Sequence, residues 1–228
     1  MGPAFPDRRA AGRELARALR HLAGPDAIVL GLPRGGLPVA DEVARELDAP
    51  LDIVLVRKIG MPGNPELAPR AIAGPKGGTM VLNTELVDVH GIDAATIEAQ
   101  AAPERAELAR RSALWGARLQ PGALKDKVVI LVDDGIATGA TMRAAIAAVR
   151  ADQPRRVVAA APVAAPDTLD LISRLADEVV CLSAPAGFTA VGCHYAIFPQ
   201  LGDDDVRAIL AAAKSFPAKT GRPVRVST

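Results

Sequence analysis

The chain has 228 residues, enough for one large domain or two small ones with a sizeable buried core. Its formal net charge of +1 excludes a general electrostatic attraction to nucleic acid or anionic membranes, so any anion site must be local. The cysteines, Cys181 and Cys193, are too few for a disulfide framework and stand in no CxxC pattern.

The first part of the chain predicts alternating helices and strands. Apolar residues at helical spacing mark the first helix: Ala11, Leu15, Ala18 and Leu22. The apolar stretch 27–32 predicts a short buried strand that runs into the sequence PRGG, and a second helical pattern follows. Residues 51–58, LDIVLVRK, predict one strand that ends in two cations.

The middle of the chain is less regular. Residues 60–78 are rich in glycine and proline and predict a long flexible loop, of the kind that often closes over an active site. Residues 79–83 predict a short strand. Residues 94–117 predict an inserted helical segment that is kinked at Pro103.

The rest of the chain returns to regular alternation. Its predicted elements are strand 128–132, a helix from Met142, strand 155–163, helix 167–175, strand 178–182 and helix 203–213. Residues 214–228 are basic and aperiodic and predict a disordered tail.

Alternating strands and helices predict an α/β fold: one domain, residues 1–213, with a central, mainly parallel sheet flanked by helices. Residues 179–202 carry no charged side chain, but their prolines and glycines would leave backbone groups unpaired in lipid. The first 20 residues carry charge throughout and contain no apolar signal segment. We therefore expect a cytoplasmic protein without membrane partners.

Two adjacent carboxylates end a strongly apolar strand in the sequence VVILVDDGIATGATM. Burying Asp133 and Asp134 there would be costly without a function. In an open parallel sheet, ligands bind beyond the carboxyl ends of the strands. The PRGG and RKIG sequences also follow predicted strands, so three polar loops are expected to converge at one edge.

The loop after the two acids is suited to a phosphate group. Gly135 and Gly139 allow tight turns, and the freed amides join the N-terminus of the next helix to form an anion pocket. Thr138 and Thr141 add hydroxyl donors. Because the carboxylates would repel the phosphate, they suit hydroxyls or a hydrated metal ion instead. A ligand with a phosphate and a nearby sugar diol fits both halves, whereas Walker A and dinucleotide fingerprints are absent.

VVILVDDGIATGATM resembles the signature of type I phosphoribosyltransferases, enzymes that use 5-phosphoribosyl 1-pyrophosphate (PRPP). IVLGLPRGGLPVADEVARELDAP resembles the pyrophosphate-binding loop of the same fold. The order of elements is similar over residues 27–182, and the whole chain looks most like a bacterial group of such enzymes whose substrate is unassigned. This resemblance implies a Rossmann-like sheet and a small substrate-binding hood at about residues 183–202.

The resemblance also implies which residues would act. The ribose and 5-phosphate would contact Asp133, Asp134, Gly135, Ala137, Thr138, Gly139, Ala140 and Thr141. The pyrophosphate would contact Arg34, Gly35, Gly36, Arg57 and Lys58. Catalysis would depend on Asp133, Asp134, Arg34 and Lys58. Mg²⁺ would be held mainly by PRPP itself, with the two aspartates reaching it at most through water.

The acceptor stays open. The PRGG loop is close to that of xanthine-guanine enzymes, but Ala137 stands where 6-oxopurine enzymes carry an acid, as it does in adenine and uracil enzymes. Phe188, Tyr195 or Phe198 could stack on a base, or they could fill a small core beneath the hood. Glu66 is a candidate acid–base group, or simply a solvated loop residue.

The resemblance favours an Mg²⁺-dependent phosphoribosyltransferase of nucleotide metabolism, which moves the phosphoribosyl group to a nitrogen acceptor, with a nucleobase favoured. The alternative is a non-catalytic PRPP-sensing regulator. No helix-turn-helix or strongly basic face is evident, so we expect no nucleic-acid partner. A scaffold protein that has lost catalysis would have substitutions in the PRGG and DDGIATGAT loops, and both loops keep the residues that the resemblance requires. Enzymes of this fold are commonly dimers, so a homodimer is possible.

Overall fold

The computed structural model describes residues 4–59, 70–73, 79–82, 94–120 and 122–213. The elements are, in chain order, α1 (Arg8–Ala18), β1 (Ala27–Gly31), α2 (Gly36–Glu46), β2 (Leu51–Ile53), β3 (Val56–Ile59), β4 (Arg70–Ala73), β5 (Thr79–Leu82), α3 (Ala94–Trp115), β6 (Val128–Val132), α4 (Ala140–Arg150), β7 (Arg156–Val163), α5 (Pro166–Ser173), β8 (Glu178–Ser183) and α6 (Asp203–Ala212). The predicted tail 214–228 and Glu66 lie outside the described residues.

The main sheet has five parallel strands in the order β2-β1-β6-β7-β8. Gly31, the last residue of β1, is paired with Val132, the last residue of β6. Strands that end in register deliver their following loops to the same point on the sheet edge. The PRGG loop and the two aspartates therefore leave the sheet side by side, and the predicted α/β fold is confirmed.

Both faces of the sheet are covered because successive strand residues point to opposite sides. Val29 and Ile130 belong to a core cluster that includes residues of α1 and α2. Their neighbours Leu30 and Leu131 belong to a second cluster with residues of α4 and α5. The near-continuous apolar runs that identified these strands thus reflect burial on two faces.

A second sheet corrects two predictions. Strands β3, β4 and β5 form an antiparallel sheet. The prediction of one strand over residues 51–58 was wrong, since β2 ends at Ile53 and the chain joins the second sheet at Val56. The loop prediction for residues 60–78 was wrong at Arg70–Ala73, which forms β4; residues 60–69 and 74–78 lie outside the described part.

The predicted helical segment after this sheet forms α3, with Pro103 inside it. Among the described residues, none of the helices has the length and apolar character needed to cross a lipid bilayer.

A buried carboxylate in β2 fixes the chain just after α3. Asp52 is fully buried, and its Oδ1 accepts a hydrogen bond from the amide of Ile53 at 2.8 Å. Its Oδ2 accepts from the amides of Arg118 at 2.7 Å and Leu119 at 2.5 Å. Burial raises the pKa of Asp52, although these amides oppose the shift. One side chain thus holds the segment that follows α3 against the main sheet.

Asp52→Asn is expected to lower the free energy of unfolding by about 2 kcal/mol, because an amide group replaces one of two accepting oxygens and faces an amide donor. Burial places the folded-state pKa of Asp52 above its unfolded value. The contribution of this carboxyl is then fully present below the unfolded pKa and is lost as pH rises through the folded value.

The cost of Asp52→Asn should therefore be larger near pH 4 than at pH 7, measured by urea denaturation. The exposed Asp170 provides a control, and Asp170→Asn should change stability by less than about 0.5 kcal/mol. A cost that grows with pH would show that the amide donors outweigh burial.

Candidate active site

The PRGG loop and the two aspartates are in direct contact at the carboxyl edge of the main sheet. The amide of Leu32 donates to the carbonyl of Val132 at 2.8 Å, and the peptide bond between Pro33 and Arg34 is cis. A Cβ on Gly35 would overlap Oδ2 of Asp134 and lie 2.6 Å from its Cγ. A Cβ on Gly36 would lie 2.7 Å from Cα of Asp133. Glycine is needed at both positions because the two loops touch.

The two aspartates form a partly buried acidic pair. The amide of Asp133 donates to the carbonyl of Ala160 at 3.1 Å, which anchors the pair beside β7. Its Oδ1 accepts from the amide of Asp134 at 2.9 Å. Burial, and after it the charge of Asp134, raises the pKa of Asp133 well above its ordinary value. The carboxyl oxygens of this pair are suited to accept hydrogen bonds from hydroxyl groups.

Arg8 contacts Asp134, and the sequence analysis missed it. Its Nε donates to Oδ2 of Asp134 at 2.7 Å, and its Nη1 donates to the carbonyl of Pro199 at 2.7 Å. Its guanidinium carbon lies 3.6 Å from the ring centroid of Phe198. A signal for Arg8 was available: it stands at helical spacing before Ala11 and Leu15, on the buried face of α1.

The side chain of Tyr195 lies in the small core of the predicted hood, residues 183–202. Its hydroxyl donates to the carbonyl oxygen of Asp134 at 2.5 Å, and its ring lies 5.6 Å from that of Phe5 between centroids. Its side chain is buried, and burial raises the pKa of its hydroxyl. Tyr195 is therefore a neutral hydrogen-bond donor to the backbone of the acidic pair.

The other two aromatic candidates for a base pocket lie nearer the surface. Phe198 is 37% exposed, with Arg8 over its ring. Phe188 is partly buried and stacks on His194, with ring centroids 5.2 Å apart and an angle of 18° between the planes. A role for either ring in binding a base stays a prediction.

Two hydrogen bonds anchor the start of the predicted phosphate loop, and a left-handed glycine ends it. The amide of Ile136 donates to the carbonyl of Val163 at 2.9 Å, and Oγ1 of Thr168 donates to the carbonyl of Ala137 at 2.7 Å. Gly139 has a φ of 72°, a left-handed conformation that favours glycine, immediately before α4 begins.

The middle of this loop is open. Ala137 and Thr138 are exposed, and the amides of residues 137–139 donate to no backbone carbonyl within the described part of the chain. Together with the helix N-terminus, which includes Ala140 and Thr141, they provide donors of the kind that bind a phosphate dianion.

Arg34, in the PRGG loop, contacts the start of α6. Its Nη2 is 3.0 Å from Oδ1 of Asp203 at the start of α6, and its Nη1 donates to the carbonyl of Leu201 at 3.1 Å. Nε1 of Trp115 also donates to Oδ1 of Asp203 at 3.0 Å. Because Arg34 and Asp203 are about 40% exposed, their ion pair is worth at most about 1 kcal/mol. Arg34 can therefore exchange Asp203 for another anion at little cost, and its predicted contact with pyrophosphate stays a prediction.

The remaining predicted site residues are placed only in part. Arg57 and Lys58 belong to β3 of the second sheet, and their side chains lie outside the described part. Their contact with pyrophosphate stays a prediction. Within the described residues, no cluster of three or more His, Cys, Asp or Glu could hold a metal ion. Contact of Asp133 and Asp134, through water, with a metal ion that a ligand carries stays a prediction.

A family model and two curated proteins are similar to this chain over most of its length. A family model described as the phosphoribosyl transferase domain matches residues 6–196. The Mycobacterium tuberculosis H37Rv protein named "Putative phosphoribosyl transferase Rv0571c" is 45% identical over 217 residues, covering 95% of this chain and 48% of its own length. The CDC 1551 strain protein of the same kind, MT0597, gives the same values. The chain thus spans about half the length of the curated relatives it matches.

Among solved structures, the protein TT1426 from Thermus thermophilus is 47% identical and superimposes with a TM-score of 0.80. The match covers 92% of this chain and 98% of that one. The likeness therefore extends over nearly the whole length of both chains.

Proposed function

The chain belongs to the phosphoribosyl transferase domain family, and from that premise we propose that it transfers the 5-phosphoribosyl group of PRPP to a nitrogen acceptor. The contact of Gly35 with Asp134 carries this proposal, because it brings a pyrophosphate-type loop against a ribose-type acidic pair. The open phosphate loop at residues 137–139 completes a site for the three parts of PRPP.

Each part of PRPP then has a partner of suitable chemistry. The ribose hydroxyls donate to Asp133 and Asp134, and the amides of residues 137–139 donate to the 5-phosphate. The backbone at Gly35 and Gly36 approaches the pyrophosphate closely, and Arg34 supplies positive charge as it leaves Asp203. Mg²⁺ carried by PRPP would neutralise charge that develops on the leaving pyrophosphate.

In the reaction, the acceptor nitrogen forms a bond to C1 of the ribose as the bond from C1 to the pyrophosphate oxygen breaks. Pyrophosphate leaves with the bonding electron pair, and the acceptor nitrogen releases its proton. The chain's contribution is to align these atoms and to stabilise the leaving charge. A nucleobase is the acceptor we propose, with Phe188 and Phe198 as the rings nearest the hood surface that could stack on it.

The test is incubation of the purified protein with PRPP, Mg²⁺ and a pool of purines, pyrimidines and simple amines, followed by mass spectrometry. We expect one acceptor to gain the mass of a phosphoribosyl group, with release of an equal amount of pyrophosphate. A parallel reaction with EDTA should give neither product. PRPP binding without turnover of any acceptor would favour the PRPP-sensing regulator, and absence of PRPP binding would contradict both functions.

A further inference from the structure

We propose that Arg8 is a positioning residue that holds Asp134 for the ribose and joins the hood to that end of the site. This inference rests on the proposed role of Asp134 in PRPP binding. Arg8 is only 8% exposed, although arginine is rarely buried unless it is paired. Its burial in the first turn of α1 therefore indicates specific partners.

Those partners come from two separate parts of the chain. Asp134 lies 126 positions away in the loop after β6, and Pro199 lies 191 positions away in the hood. The Arg8 guanidinium uses different nitrogens for the two contacts, Nε for the carboxylate and Nη1 for the carbonyl. Phe198 covers the same guanidinium with its ring face. One planar group thus links the hood to the acidic pair.

Three residues contact Asp134 and restrict its position. Arg8 engages its Oδ2, Tyr195 donates to its carbonyl oxygen, and Gly35 lies against its carboxyl group. Arg8 engages one oxygen of the carboxylate, and a carboxylate has a second oxygen that can accept a ribose hydroxyl. Holding the side chain in one orientation before the ligand arrives reduces the entropy cost of binding.

The N-terminal segment also fixes the hood through its backbone. The amide of Phe5 donates to the carbonyl of His194 at 3.0 Å, and the carbonyl of Phe5 accepts from the amide of Ala196 at 2.9 Å. The amide of Ile197 donates to the carbonyl of Pro6 at 2.9 Å. These bonds place Arg8 beside Pro199 without using its side chain. Replacing the Arg8 side chain should therefore leave the docking of the segment largely in place.

The experiment compares sugar phosphates that differ by one hydroxyl. Ribose 5-phosphate and its 2-deoxy and 3-deoxy analogues are titrated as competitors of PRPP and Mg²⁺ in isothermal titration calorimetry. We expect the wild-type protein to prefer ribose 5-phosphate over at least one analogue by about tenfold, the effect of a hydrogen bond to a charged group. The sugars' anomeric mixtures cancel when variants are compared, because the same solutions are used with every variant.

Arg8→Met should reduce this preference to about twofold, because Asp134 is no longer held toward the hydroxyl. Arg8→Lys keeps the charge but cannot reproduce the planar contacts with both Asp134 and Pro199, so we expect a preference of about threefold. Arg13→Met is the matched control on the same helix. Arg13 is 53% exposed and, among the described residues, forms one ion pair, at 3.7 Å with Glu42, so its variant should keep the wild-type preference.

A purely structural role for Arg8 would weaken ribose 5-phosphate and the deoxy analogues equally, and an unchanged preference in Arg8→Met would overturn the proposal. If Arg8→Met lacks a cooperative thermal transition, the Arg8→Lys variant becomes the test. A wild-type sugar preference in Arg8→Lys would overturn the proposal. A wild-type protein that binds PRPP without distinguishing the sugars would overturn the role of Asp134 and that of Arg8 together. A wild-type protein that does not bind PRPP would contradict the proposed function itself.

Discussion

Asp134→Asn is expected to abolish measurable phosphoribosyl transfer, a loss of about a thousandfold or more in kcat/KM for PRPP. The substitution removes the charge of Asp134 and converts one of its two accepting oxygens into a donor. The remaining oxygen can still accept from Nε of Arg8, which lies 2.7 Å from Oδ2 in the wild-type protein. The side chain also keeps its shape beside Gly35, so the fold should survive.

The measurement is steady-state transfer with PRPP and the acceptor identified from the pool, alongside a thermal melt. Asp170→Asn removes an exposed carboxylate on α5, outside the site, and should keep wild-type kinetics. If the Asp134 variant melts normally and still turns over PRPP at the wild-type rate, the loop at residues 133–141 is not the ribose and phosphate site.

Gly35→Ala is expected to weaken PRPP binding by about a hundredfold. The new Cβ would lie 2.6 Å from Cγ of Asp134, so either the PRGG loop or the carboxylate must move. Both lie in the site, and displacement of a binding group by about 1 Å is enough for a loss of this size. Overpacking should also lower the free energy of unfolding by about 2 kcal/mol.

Gly24→Ala provides the control, since a Cβ at Gly24 would meet no atom within 4 Å. Both variants add one methyl group to a loop glycine, so a difference in PRPP affinity reports the contact at Gly35. Wild-type PRPP affinity in Gly35→Ala would mean that the PRGG loop does not take part in binding.

The sequence alone predicted, for a physical reason, that the loops after β1 and β6 meet. A buried strand is recognised from its own residues, and parallel strands deliver their following loops to one edge of a sheet. The sequences after β1 and β6 were therefore expected to meet. The structure adds the register of β1 and β6, in which Gly31 is paired with Val132. It also shows that Gly35 and Gly36 are required by contact with the acidic pair.

The second sheet could not be predicted in the same way. Residues 53–56 are wholly apolar, and no glycine or proline marks the point where the chain leaves one sheet for another. Strand β3 is defined by its antiparallel partner β4, which lies in a stretch that glycine and proline dominate. The choice of partner strand depends on distant residues, so local composition does not reveal it.

Arg8 and Tyr195 illustrate the same limit within the site. An arginine in the first turn of a helix usually lies in solvent, and an aromatic residue in an uncharged segment suggests a stacking surface. Here both side chains bind Asp134, one through its carboxylate and one through its carbonyl. Those partners are 126 and 61 positions away, beyond the reach of any helix or turn pattern.

The most direct test of the central claim, that the two loops form a PRPP site, is calorimetric titration of the wild-type protein with PRPP in the presence of Mg²⁺. We predict saturable binding at one site per chain, competition by pyrophosphate, and marked weakening in both Asp134→Asn and Gly35→Ala. Absence of saturable binding by the folded wild-type protein, or equal affinity in all three proteins, would contradict the claim.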